Sequence, residues 1–159
     1  MITEINFLIY QAETEYLTQA DLGIYKSQIL YLEERLKIYE LLRAQETDIF
    51  QNVAHQIANN FPEEPEAKVE SALKHWIMVV RYCGMAMLSN DSNYLQHRIL
   101  EWLPEQIAAH ELQNLEQNLY NYLQKRLKKV LGSEQFGIFQ PFLEQSKKAL
   151  FNKAKAAIA

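Results

Sequence analysis

The side chains of this 159-residue chain that could do chemistry are few and scattered. There are four histidines, His55, His75, His97 and His110, and none forms the His-x-x-x-His or His-Glu-x-x-His pattern that sets two imidazoles on one helix face around zinc. The single thiol, Cys83, excludes an internal disulfide and suits a reducing compartment. A lone helical cysteine is more often a small buried hydrophobe than a nucleophile. Glu63, Glu64 and Glu66 crowd a segment flanked by Pro62 and Pro65, where carboxylates are most simply solvated. Trp76 and Trp102 could wall a pocket, but large aromatics are more often core. With no glycine-rich phosphate loop, activated serine motif or interpretable Cys–His spacing, the expectation is binding, not catalysis.

The elements that must position these groups are helices. Glycine and proline number four each, and Leu, Ala, Glu, Gln and Lys dominate. Apolar residues recur at the helical period almost throughout. The pattern predicts a first helix over about 3–16, with Ile5, Leu8, Ile9 and Ala12 on one face. Thr18 and Asp21 have the spacing of a capping box for a second helix, ending near Gln45. Ile49, Val53, Ile57 and Phe61 form a further stripe, and Pro62 and Pro65 force a break. A fourth helix carries Ala72 and stops at an Asn90–Asp91 turn. Asp91 or Ser92 then caps a short helix to Leu103, and Pro104 suits the first turn of the next. Two long helices follow, over about 105–131 and 133–157. Gly132 is the C-cap between them, and Pro141 is awkward enough to predict a separate turn before it. This is one all-α domain spanning 1–159.

Composition narrows the partners. The net charge is −4 with no long single-sign run, which argues against nucleic acid. No apolar run is long enough for a transmembrane segment. Met1-Ile2-Thr3-Glu4 has no basic region, so no signal peptide is expected and the location is read as cytoplasmic.

The stretch Ser71 to Asp91 resembles the bilin-carrying helix of the phycobiliproteins, the light-harvesting subunits of cyanobacterial phycobilisomes. That family shows a Cys-x-Arg-Asp start, a later arginine and a Gly-Asp end. Laid on without a gap, its arginine falls on Arg81 and its terminal Asp on Asp91, while its chromophore cysteine falls on Ala72, its Arg on Lys74 and its ring-binding Asp on His75. Tyr16-Leu17-Thr18, Leu22, Lys26-Ser27 and the run Glu33 to Ile38 resemble the second-helix pattern of allophycocyanin subunits. Asp91, Leu95, Arg98 and Leu100 resemble the Gly-Asp-x-x-x-Leu-x-x-Arg-x-Leu segment. The likeness is good from about residue 10 to residue 107; beyond that only helix spacing agrees.

The resemblance implies a globin-like bundle with an N-terminal helical extension, residues 1–17, that grips a partner subunit. Phe7-Leu8-Ile9-Tyr10 fits that role. Four consecutive helical residues span roughly 300°, so an apolar side chain must face outward. In the family, the arginine at Arg81 meets an acidic residue of the partner's first helix; that position falls on Glu13 with a two-residue deletion and on Gln11 without one. The partner is then a second copy or a phycobilisome subunit, placing the protein at the thylakoid surface.

Alanine at 72 has no nucleophile for a thioether, so no covalent bilin is expected. Lys74 and His75 complete a remnant site expected to be empty. Cys83 lies eleven residues after Ala72, about 1100° around and roughly 16 Å along the helix, so a relocated attachment points the same way. In a globin-like fold, His75 and His97 would stand on the two helices flanking a haem pocket. Free bilin or haem in a sensor is therefore the alternative to a cofactor-free binding protein, with a bilin-handling chaperone or lyase third.

Overall fold

The computed structural model describes residues 2–156, with side-chain environments for residues 5–152. The described residues form helices and turns without a strand. The order is α1 (Ile2–Ala12), α2 (Gln19–Asn60), α3 (Glu66–Ser89), α4 (Ser92–Leu95), a π-helical segment (Gln96–Leu100), α5 (Leu103–Ala109) and α6 (Gln113–Ala156). α6 packs on α2, α3 and α5, and α2 also packs on α3, so the core lies among these four. The all-α, globin-like expectation holds.

α1 ends at Ala12, four residues before the expected Tyr16. Glu13 and Thr14 turn their amides back to the Tyr10 and Gln11 carbonyls, and the Thr14 hydroxyl also bonds the Gln11 carbonyl at 2.9 Å. Such local bonding competes with continued helix. The Thr18–Asp21 capping box forms as expected: the Asp21 amide donates to Thr18 Oγ1 at 3.2 Å, and the Thr18 amide donates to Asp21 Oδ2 at 2.9 Å.

The break expected near Gln45 does not occur. No glycine or proline interrupts residues 24–61, so the backbone runs on while the buried face changes. Every buried residue of α2 lies at Ile38 or beyond. Its first half therefore projects with α1 from the body.

α3 ends as expected, with Asn90 in the left-handed conformation at φ 51°. The Asp91 side chain then accepts the Asn93 amide at 2.9 Å and caps α4. The single short helix expected to Leu103 is instead one α-turn followed by the π-helical segment. The wide turn brings Leu95, Ile99 and Leu100 to the core together. Pro104 sits in the first turn of α5 as expected.

The helix expected from Glu105 to Leu131 is broken at residues 110–112. Glu111 adopts φ 55°, and the buried Leu112 donates its amide to the Ile107 carbonyl at 3.1 Å. Gly132 interrupts α6 with φ 75° and ψ 167°, where the sequence places the junction. Pro141 stays inside the helix and starts no separate turn. The expected end at Ala157 lies outside the described residues.

Candidate binding surfaces around α3

α3 serves two surfaces and the core between them. Ala72, Trp76, Val79, Cys83 and Ala86 are fully buried along one stripe. Ala72 and Cys83 thus point into packed interior. The Cys83 sulfur lies 3.3 Å from the Ser146 hydroxyl, and burial pushes its thiol up to about 12. A thiolate, the nucleophilic form, is suppressed there. The Trp76 ring packs tilted against Tyr120, centroids 5.2 Å apart, and the Tyr120 hydroxyl donates to Glu144 at 2.8 Å. Trp102 is partly exposed and donates its indole N–H to the Arg98 carbonyl at 2.8 Å.

His75, one turn beyond Ala72, reaches across to α6. Its Nδ1 lies 2.6 Å from Oε1 of Glu116, a carboxylate with no solvent exposure. Burial pushes the Glu116 carboxyl above the ordinary carboxylate range; the His75 bond and charge pull it back only in part, and the Trp76 indole pulls the same way. Neither Glu116 Oε2 nor Trp76 Nε1 completes a hydrogen bond of normal geometry. The outer edge of His75 lines a cleft of about 300 Å³ with Ala67, Lys68, Ser71, Gln106, His110 and Leu112.

The other histidines stand apart. His97 is exposed and pairs with Glu101 at 3.0 Å, and it does not line the cleft that His75 lines. His55 is exposed and bonds the Gln51 carbonyl. Among the described residues, no group of three or more His, Cys, Asp or Glu side chains could hold a metal ion.

The second surface is a groove of about 640 Å³ between α2 and α3. Its floor is apolar, from Leu42, Ile77, Met78 and Val80, and its charged lining is Arg43, Lys74 and Arg81 with the carboxylate of Glu46. Gly84 lets the helices approach: an added Cβ would sit 3.1 Å from the Tyr39 ring. Lys74 is exposed and pairs with Glu70 on its own helix. Arg81 grips Glu46 of α2 with two nitrogens, Nε donating at 2.8 Å. In the isolated chain, then, the guanidinium meets an acid of its own subunit.

The N-terminal extension turns Leu8 inward and leaves Phe7 67% and Tyr10 68% exposed, with Ile9 half-exposed. The first half of α2 continues this surface with exposed Leu22, Ile24, Ile29, Leu30, Tyr31 and Leu36. Glu13 is exposed in the turn after α1.

A family model described as Phycobilisome protein matches residues 7–150. The chain belongs to the phycobilisome protein family. No curated protein matches it. The family match runs past residue 107, into the half where the sequence showed only helix spacing. Phycobiliproteins are structural light-harvesting proteins, and members of the phycobilisome family assemble with other phycobilisome subunits. No helix among the described residues is long and apolar enough to cross a membrane.

Two residues of these surfaces escape a motif search. Glu46 carries no signal, because nothing local says which arginine it meets. Glu116 does carry one. Leu112, Leu115, Glu116, Leu119, Tyr120 and Leu123 follow the apolar spacing of a core-facing stripe, with the carboxylate on a core position. A glutamate there requires a buried partner.

Proposed function

We propose that this phycobilisome-family chain is a non-enzymatic subunit without the usual covalent bilin, acting by association in phycobilisome assembly, docking or regulation. The observation that carries this reading is the exposed apolar surface shared by α1 and the first half of α2. Phe7, Ile9, Tyr10, Leu22, Ile24, Ile29 and Leu30 form too much exposed hydrocarbon for a helical pair that only meets water. The α2–α3 groove offers a complementary seat, with an apolar floor and cations at hand for an acidic helix end. In a symmetric pair, α1 of each copy occupies the groove of the other, and Arg81 exchanges Glu46 for the partner's Glu13. A phycobilisome subunit with an equivalent helix serves as a heterodimeric partner. A cytoplasmic position at the thylakoid surface follows from that partnership.

The pigment-free part of the reading is supported by Ala72, which has no nucleophile and lies in the core, and by His75, which spends Nδ1 on Glu116. Sedimentation of the intact chain, alone and mixed with purified phycobilisome subunits, tests association. A chain that stays monomeric at high micromolar concentration and binds no phycobilisome subunit refutes it.

A second reading, a tetrapyrrole-binding sensor, is favoured by the α2–α3 groove. Its volume is in the range of small-molecule sites, and its cations could meet propionates. A visible absorption band in protein purified from bilin-producing cells tests this reading; colourless protein from such cells refutes it.

A further inference from the structure

The cleft outside His75 has no part in association through the N-terminal helices, and its lining is unusual. One wall is the first three turns of α3, where Ala67, Ser71 and His75 follow at intervals of four and Lys68 stands beside them. The other wall comes from α5 and the turn after it, with Gln106 and His110, also four apart. Leu112 closes the floor. Every polar side chain in this lining can donate a hydrogen bond, and no carboxylate is among them. Ala67 and Lys68 also belong to the first turn of α3, the positive end of its backbone dipole.

The buried Glu116 fixes how His75 contributes. With Nδ1 held by the carboxylate at 2.6 Å, Nε2 is the nitrogen available to the cleft. When the imidazole is protonated, Glu116 offsets its charge from behind while Nε2–H donates outward. Lys68 brings a positive charge to the lining, and His110 brings a second imidazole. The Ser71 hydroxyl rests on the Ala67 carbonyl at 2.9 Å and can rotate toward a ligand.

From this donor set we infer that the cleft between the start of α3 and the end of α5 binds a small oxyanion, a phosphate or a carboxylate. Its volume of about 300 Å³ suits a small anion with some of its water. The oxygens are held by Lys68, His75 and His110, with Gln106 and Ser71 completing the contacts.

The test is titration of the full chain with inorganic phosphate at constant ionic strength, read from the imidazole signals in NMR spectra. The expected result is saturable movement of the His75 and His110 signals, half complete below about 10 mM, with His55 and His97 unmoved. Lys68→Ala and His110→Ala should each weaken binding about fivefold, and together abolish it. Lys74→Ala, whose side chain lines the α2–α3 groove and not this cleft, should leave it unchanged. His75→Ala is avoided because it strands Glu116. Competition by acetate assigns the site to carboxylates as well, and its failure restricts the site to phosphate. Non-saturating shifts spread over all four histidines, or unaltered affinity in the folded Lys68→Ala/His110→Ala variant, overturns the proposal.

Discussion

His75 Nδ1 and Glu116 Oε1 lie 2.6 Å apart and join α3 to α6 at the edge of the core. The pair reverses the expected chemistry of the position: the family's aspartate would offer a carboxylate, whereas here an imidazole uses one. Removing the imidazole leaves a buried charge alone. His75→Ala should therefore lower unfolding free energy by roughly 3 kcal/mol, as broken buried pairs do, and chemical denaturation measures it.

The same carboxylate predicts a pH dependence. Its folded-state pKa is raised by burial, so the folded chain holds this proton more tightly than the unfolded chain. Its contribution is fully present below the ordinary carboxylate range and is lost as pH rises through the raised value. Glu116→Gln should remove that decline. Urea midpoints across the acidic range, compared with wild type, should diverge in this direction; parallel curves would mean that Glu116 does not titrate differently on folding.

Restoring a pigment should take more than a cysteine. Ala72→Cys places a thiol in packed core but leaves His75 tied to Glu116. Ala72→Cys/His75→Asp sets a second carboxylate against Glu116, an arrangement of like charges. Only with Glu116→Gln added should a structured, red-shifted bilin band emerge after co-expression with bilin synthesis and lyases. Such a band in the single variant would contradict this.

Cys83 should stay unmodified in the native protein. Its thiol is fully buried and its pKa is pushed up to about 12. A thiol reagent should react with it only after denaturant is added, and zinc-enhanced fluorescence should find no bilin there. Rapid labelling of the folded chain would be the contrary outcome.

Association should respond to the Arg81–Glu46 pair. Because Glu46 competes for Arg81 within one subunit, Glu46→Gln should strengthen self-association and Arg81→Glu should weaken it, each by about 1 kcal/mol at a partly exposed pair. Deletion of residues 1–17 should leave a folded monomer, since among them only Leu8 is buried in the described part of the chain. Sedimentation equilibrium distinguishes these variants. Equal association of all three would remove the N-terminal helices from the interface.

Gly132 should resist substitution. At φ 75° and ψ 167° its backbone lies where side chains with a Cβ are strained, although the space around it is open. Gly132→Ala should cost about 1–3 kcal/mol through backbone strain alone. A stability within error of wild type would show that the junction relaxes.

The sequence by itself determined the helical class, because apolar spacing and a shortage of glycine and proline leave little else to form. It placed the Thr18–Asp21 cap, the Asn90 stop, Pro104 and Gly132, since each depends on residues a few positions apart. It also determined that position 72 cannot form a thioether. Tertiary structure decided the rest. α2 runs through Gln45 because packing, not a local breaker, changes its buried face, and the turn at Glu111 has no glycine or proline to announce it. Arg81 meets Glu46 across 35 positions and His75 meets Glu116 across 41. Local spacing carries no information about such partners. They are chosen when helices dock and a desolvated charge must find its counterion.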